Sequence, residues 1–114
     1  SFQGKKEEHV IIEGKIIVGK GAIIKNGVKI VGPAIIGGNC IIEGSTVIGE
    51  NTSIGENSHL NDCNISNSII MSNCTINGKL DIKNSIIASN SKIIKEKKES
   101  NKKFILGEGT QISL

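Results

Sequence analysis

Residues Ile30 to Leu60 read IVGPAI IGGNCI IEGSTV IGENTS IGENSH L, with an aliphatic residue returning at every sixth position. The register extends backwards through Ile24, Val18 and Ile12, so nine positions carry an aliphatic side chain at one fixed spacing. A short repeat sustained over this length marks a solenoid of stacked β-coils and outranks local propensity. Side chains alternate across a strand, so the residue two before each aliphatic position also points inward, and the one between points out. That second inward column reads Ile16, Ala22, Val28, Ala34, Cys40, Thr46, Thr52 and Ser58. Most are small, as three walls crowding a narrow interior require. Three hexads close one triangular coil of about eighteen residues, and coils stack at roughly the 4.8 Å inter-strand spacing.

Between the strands sit Gly14, Gly19, Gly27, Gly32, Gly37, Gly49 and Gly55, expected to make corners at positive φ. After Leu60 the six-residue step fails, but steps of five restore the pattern. Leu60, Ile65, Ile70, Ile76, Ile82, Ile87 and Ile93 continue the large column, beside Ser58, Cys63, Ser68, Cys74, Leu80, Ser85 and Ser91. Corners there are expected at Asn61, Asn67, Asn73, Asn84 and Asn90, since asparagine tolerates left-handed backbone.

The expected fold is therefore all-β, a single-stranded parallel β-helix of about five coils over residues 10–94. Residues 1–9 (SFQGKKEEH) form a polar cap that covers or frays from the first coil. Residues 95–103 (KEKKESNKK) read as a solvated charged loop, in which Glu96 and Glu99 dilute any basic tract. Residues 104–114 (FILGEGTQISL) resume the pattern as a capping C-terminal segment, with Leu106 and Ile112 six apart and Thr110 small. Phe104 takes a small-residue position there, where its ring can plug the open end of the prism.

Composition narrows the function. The chain has 114 residues, no Trp or Tyr and two Phe, which suits a prism filled by Ile and Val better than a globular core. Its net charge is +3 and every basic residue is Lys. Without guanidinium forks or stacking aromatics, no nucleic-acid partner is expected. No run approaches the roughly twenty apolar residues of a membrane span, and the start does not resemble a signal peptide. The chain does not begin with Met, from which we expect a fragment of a longer protein. The three cysteines lack metal-site spacing. The column rule turns Cys40, Cys63 and Cys74 inward, with Cys40 and Cys74 about 9.6 Å apart on one face, beyond disulfide reach. They read as small core residues in a reducing, cytoplasmic compartment.

The hexads resemble the left-handed parallel β-helix family. The left hand is implied by that resemblance alone, since crossovers are right-handed as a rule. A closer resemblance lies in IVGPAIIGGNCIIEGSTVIGENTSIGENS, the irregular Asn-Ser-Ile-Ile steps and the terminal KKFILGEGTQISL. Together these look like the C-terminal domain of long-form glucose-1-phosphate thymidylyltransferases, which are sugar-nucleotide pyrophosphorylases. The stretch LGEGTQISL is the most discriminating part. The resemblance implies that chemistry belongs to an N-terminal nucleotide-binding domain, with a Gly-rich phosphate loop and carboxylates that hold Mg. This chain has no G-x-G-x-R stretch and no Asp pair after a hydrophobic strand, so no catalytic, cofactor or metal residue carries over. The role implied is oligomerisation, or docking against the catalytic domain.

Other classes weigh less. A hexapeptide-repeat acyltransferase using acetyl-CoA needs a His general base beside a subunit junction and usually a projecting loop. His59 is the only His inside the regular coils; it takes an outward position without an insertion, and His9 lies at the polar start. A β-helical carbonic anhydrase needs three His per zinc, and the chain has two in all. An ice-binding prism needs an outward Thr ladder, which is missing. The glycines precede no helix that could hold a phosphate.

The outward positions then single out one face. Along the face carrying Ile12 they read Ile11, Lys29, Val47, Asn64 and Asp81; along that carrying Ile24, Ile23, Ile41, His59, Thr75 and Lys92. On the face carrying Val18 they read Ile17, Ile35, Ser53, Ile69 and Ile86. An exposed isoleucine ladder invites a partner, either another copy or the catalytic domain. Ile17, Ile35, Ile69 and Ile86 are thus the expected interface residues.

Overall fold

A computed structural model describes residues 1–96. The rest of the charged loop, and the capping segment with Phe104, Leu106, Thr110 and Ile112, lie outside the described residues. A short strand β1 (Lys5–Lys6) precedes five coils of three strands each. The first holds β2 (Ile11–Glu13), β3 (Ile16–Val18) and β4 (Ile23–Ile24), and the second β5 (Lys29–Val31), β6 (Ala34–Ile36) and β7 (Ile41–Glu43). The third holds β8 (Val47–Ile48), β9 (Thr52–Ile54) and β10 (His59–Asn61). The fourth holds β11 (Asn64–Ser66), β12 (Ile69–Ile70) and β13 (Thr75–Asn77), the fifth β14 (Asp81–Lys83), β15 (Ile86–Ile87) and β16 (Lys92–Ile94).

All pairing is parallel and runs between coils, giving three faces. The first is β2-β5-β8-β11-β14, the second β3-β6-β9-β12-β15, and the third β1-β4-β7-β10-β13-β16. No helix occurs among the described residues, and none is long and apolar enough to cross a membrane. The register follows the hydrophobic period across the change of step: Ile48 pairs with Ile65 and Ile65 with Ile82, although the repeat shortens between them. A slip by one residue would turn every inward isoleucine to solvent, which is what pins the register.

The large column is the core. Ile24, Ile30, Ile42, Ile48, Leu60 and Ile76 are fully buried, and Val18, Ile36, Ile54, Ile65 and Ile70 are 1% exposed. Burial thins at the last coil, where Leu80, Ile82, Ile87 and Ile93 are partly buried against it. The small column carries a second duty that its size alone does not reveal. Thr46 Oγ1 donates to the Glu43 carbonyl at 2.7 Å and Ser68 Oγ to that of Ser66 at 2.8 Å. Among the described residues no buried side-chain nitrogen or oxygen lacks a partner, as a dry interior demands.

Two expectations need correction. Of the seven corner glycines, only Gly14 and Gly27 have positive φ; Gly21, Gly44 and Gly78 do so instead. Gly19, Gly37 and Gly55 are required for closeness. A Cβ on Gly37 would lie 2.5 Å from the Glu56 nitrogen of the next coil, and one on Gly19 2.5 Å from that of Gly38. Among the asparagines, Asn67, Asn73, Asn84 and Asn90 are left-handed, but Asp62 turns in place of Asn61, which closes β10. Of the two readings of the opening residues, the structure has them cover the first coil and not fray from it. Lys5 pairs with Ile23, Phe2 bridges Val18, and the Gln3 and Glu7 amides donate to the carbonyls of Val18 and Ile24. An open parallel edge offers unpaired backbone groups, which a polar segment satisfies as well as an apolar one.

Candidate functional site

The outward positions of the second face line up as β-partners. Ile17 pairs with Ile35, Ile35 with Ser53, Ser53 with Ile69, and Ile69 with Ile86. The short strands of this face alternate strictly, so the residue between two buried neighbours must point out. The exposures are 52% for Ile17, 48% for Ile35, 48% for Ile69 and 73% for Ile86. Met71, at the edge of this face, is exposed as well. The structure thus places the four sequence-selected isoleucines on one wall, with Ser53 as the gap between them.

The other two walls differ. On the third, Ile23 and Ile41 are half-buried and the column continues into His59, Thr75 and Lys92. On the first, Ile11 is exposed at the edge strand, and Lys29, Val47, Asn64 and Asp81 follow it. Among the described residues, apolar exposure sustained from coil to coil is confined to the second face.

Flanking this wall is a shallow groove of about 320 Å³, lined by Asn51, Asn67, Asn84, Ile69 and Ile86 among others. Asn67 Nδ2 donates to Asn84 Oδ1 at 2.6 Å, so the asparagine side chains stack along the corner as their backbones do. The groove is open and holds no charged group in its lining. It extends the wall sideways without adding a reactive group.

His59 is the residue that an acyl-transfer reading would rest on. Its Nε2 hydrogen-bonds a Glu43 carboxylate oxygen, whose other oxygen lies 3.9 Å from Lys25 Nζ. The ring sits on the flat third face, in register with Ile41 and Thr75. The sequence missed Glu43 as its partner, yet the signal was there: sixteen residues back is the position beside it on the coil below. Among the described residues, no group of three His, Cys, Asp or Glu side chains could hold a metal ion.

All three cysteines are free and buried. Cys40 Sγ donates to the Gly55 carbonyl at 3.1 Å, and Cys74 Sγ to that of Ala88 at 3.2 Å. Burial raises the pKa of Cys40 above the ordinary thiol value, and pushes that of Cys63 up to about 11. Such thiols are poor nucleophiles.

Residues 30–113 match the family described as GMPPB C-terminal domain. The chain belongs to this family. Its members are left-handed β-helix, hexapeptide-repeat domains of sugar nucleotidyltransferases, in keeping with the stacked parallel coils. Among curated proteins no match is found. Among solved structures, the chain is similar to the acetyltransferase domain of PglB from Neisseria gonorrhoeae FA1090 in complex with acetyl coenzyme A. The identity is 21% with a TM-score of 0.29, over 71% of this chain and 48% of that one. The chain therefore spans about half the length of that structure, and at this TM-score the likeness carries no argument about activity.

Proposed function

We propose that this chain is the non-catalytic C-terminal module of a sugar-phosphate nucleotidyltransferase, serving to oligomerise it or to dock its catalytic domain. The observation that carries this reading is the exposed isoleucine wall on a domain of this family. Catalysis, and the Mg that the resemblance implies for it, are assigned to the nucleotide-binding domain. The reaction proposed for the parent, carried over from the resemblance to the thymidylyltransferases, is dTTP and glucose 1-phosphate going to dTDP-glucose and diphosphate. Buried, unpaired cysteines support a reducing, cytoplasmic setting.

Purified as it stands, the chain is expected to form no dTDP-glucose from glucose 1-phosphate and dTTP. It is also expected to release no CoA from acetyl-CoA with amino-sugar phosphates. Nucleotidyl transfer by the chain alone overturns the assignment. CoA release that disappears in His59→Ala turns it toward the acyltransferases.

A further inference from the structure

We propose that the chain forms a two-fold dimer through the isoleucine wall, with coil axes antiparallel and the dyad running along β6 at Ile35. This deepens the docking role proposed above and rests on it. The deciding observation is the charge on the two rims of the wall. The rim preceding the second face stacks Lys15, Pro33, Glu50 and Ser66, whose carbonyls accept in turn from the amides of Ala34, Asn51, Asn67 and Asn84. The rim following it stacks Lys20, Gly38, Glu56 and Ser72, accepting from Asn39, Asn57, Asn73 and Asn90. The first coil is therefore positive on both rims and the third negative on both, the second and fourth are uncharged, and the fifth carries Lys83 on the preceding rim alone, in register with Ser66. Lys15, Lys20, Glu50 and Glu56 are exposed, and none of them joins an ion pair among the described residues.

Symmetry then selects one arrangement. A dyad along the coil axis lays every coil on itself, setting Lys15 against Lys20 and Glu50 against Glu56. A dyad along the strands at the third coil sets Glu50 on Glu50 and Glu56 on Glu56. Moved to the second coil, the same dyad lays the first coil on the third. Lys15 then faces Glu50 and Lys20 faces Glu56, and an isologous interface repeats each pairing. At the fourth coil only Glu50 gains an opposite, Lys83, which already lies 3.5 Å from Asp81. The apolar surface agrees with the second-coil choice. Ile35 meets its own copy, and Ile17 falls opposite Ser53, the gap in the ladder. Ile69 comes against the opening segment, where Phe2 is 37% exposed, while Ile86 lies beyond the overlap. Rim charges of this kind set register and partner choice.

Light scattering and oxidative cross-linking at low salt test the arrangement. The wild type is expected at twice the chain mass. Ile35→Glu should halve it with the β-sheet circular dichroism intact, whereas Ile86→Glu should leave it unchanged. The pair Glu50→Lys/Glu56→Lys should raise the dimer dissociation constant about tenfold or more, and adding Lys15→Glu/Lys20→Glu should bring it back. Ile35→Cys should give a disulfide-linked dimer under a mild oxidant, and Ile69→Cys should not. Cross-linking by Ile69→Cys in place of Ile35→Cys, or a charge swap that restores nothing, overturns the dyad and leaves self-association standing. A monomeric wild type overturns self-association too, while the assignment to a nucleotidyltransferase is judged separately by the assays above.

Discussion

Cys40, Ser58 and Cys74 stand one above another inside the third face, and each donates to a carbonyl one coil further on, those of Gly55, Met71 and Ala88. Small inward side chains in this column therefore tie neighbouring corners together as well as fitting between the walls. Cys63 sits in the equivalent column of the first face and is fully buried. Its pKa is raised from 9.0 to about 11, chiefly by burial. A thiol held neutral by the fold contributes its full stability below pH 9, where the unfolded chain is also protonated. As pH rises toward 11 the unfolded chain gains the thiolate first, and stability falls by up to about 2–3 kcal/mol. Urea midpoints of the wild type should thus decline between pH 9 and 11 more steeply than those of Cys63→Ala. Parallel declines would show that Cys63 is not responsible.

At the scale of elements, strands and corners obey different rules, and the corners hold the errors of the sequence reading. A strand of the five coils is two or three residues long and is placed by an inward aliphatic residue, so the hydrophobic period finds it. A corner must both turn and stack. Asn57 turns, with φ 59°, while Gly37 stacks, because a side chain there would strike the Glu56 backbone of the coil above. Gly37→Ala should therefore cost more than Asn57→Gly, which keeps the turn available to the backbone. The first should exceed about 1 kcal/mol, and the second should stay within about 1 kcal/mol of wild type. Equal urea midpoints for the two variants would remove the distinction between turning and stacking corner positions.

On the scale of the whole molecule, each coil touches only its neighbours, so stability accumulates along the axis. The inward residues from Ile24 to Ile76 at the large positions are at most 1% exposed, whereas Leu80, Ile82, Ile87 and Ile93 are partly buried. Opening should begin where fewer apolar contacts are lost. Amide exchange is therefore expected to be slower at Ile42 and Leu60 than at Ile87 and Ile93. Uniform protection along the axis would mean that the described coils open as a single unit. The same linear build explains why rim charges can act as an address: coils differ one by one, and a partner can read their order.

The sequence by itself determined the prism, its two inward columns, the continued register through the five-residue steps and the single isoleucine wall. Those follow from alternation along a strand and a period repeated often enough to exclude chance. The tertiary structure alone decided which glycines turn and which make room, since that depends on the neighbouring coil's backbone and not on local sequence. It also decided the opening strand, where backbone hydrogen bonds to β3 and β4 hold a segment whose side chains give no strand signal. The partners of His59, of the Ser58 hydroxyl and of the Cys40 and Cys74 thiols came from the same source. Residues sixteen or so apart meet only once the coil has closed and stacked, and the order of charges along the rims gains meaning at that moment.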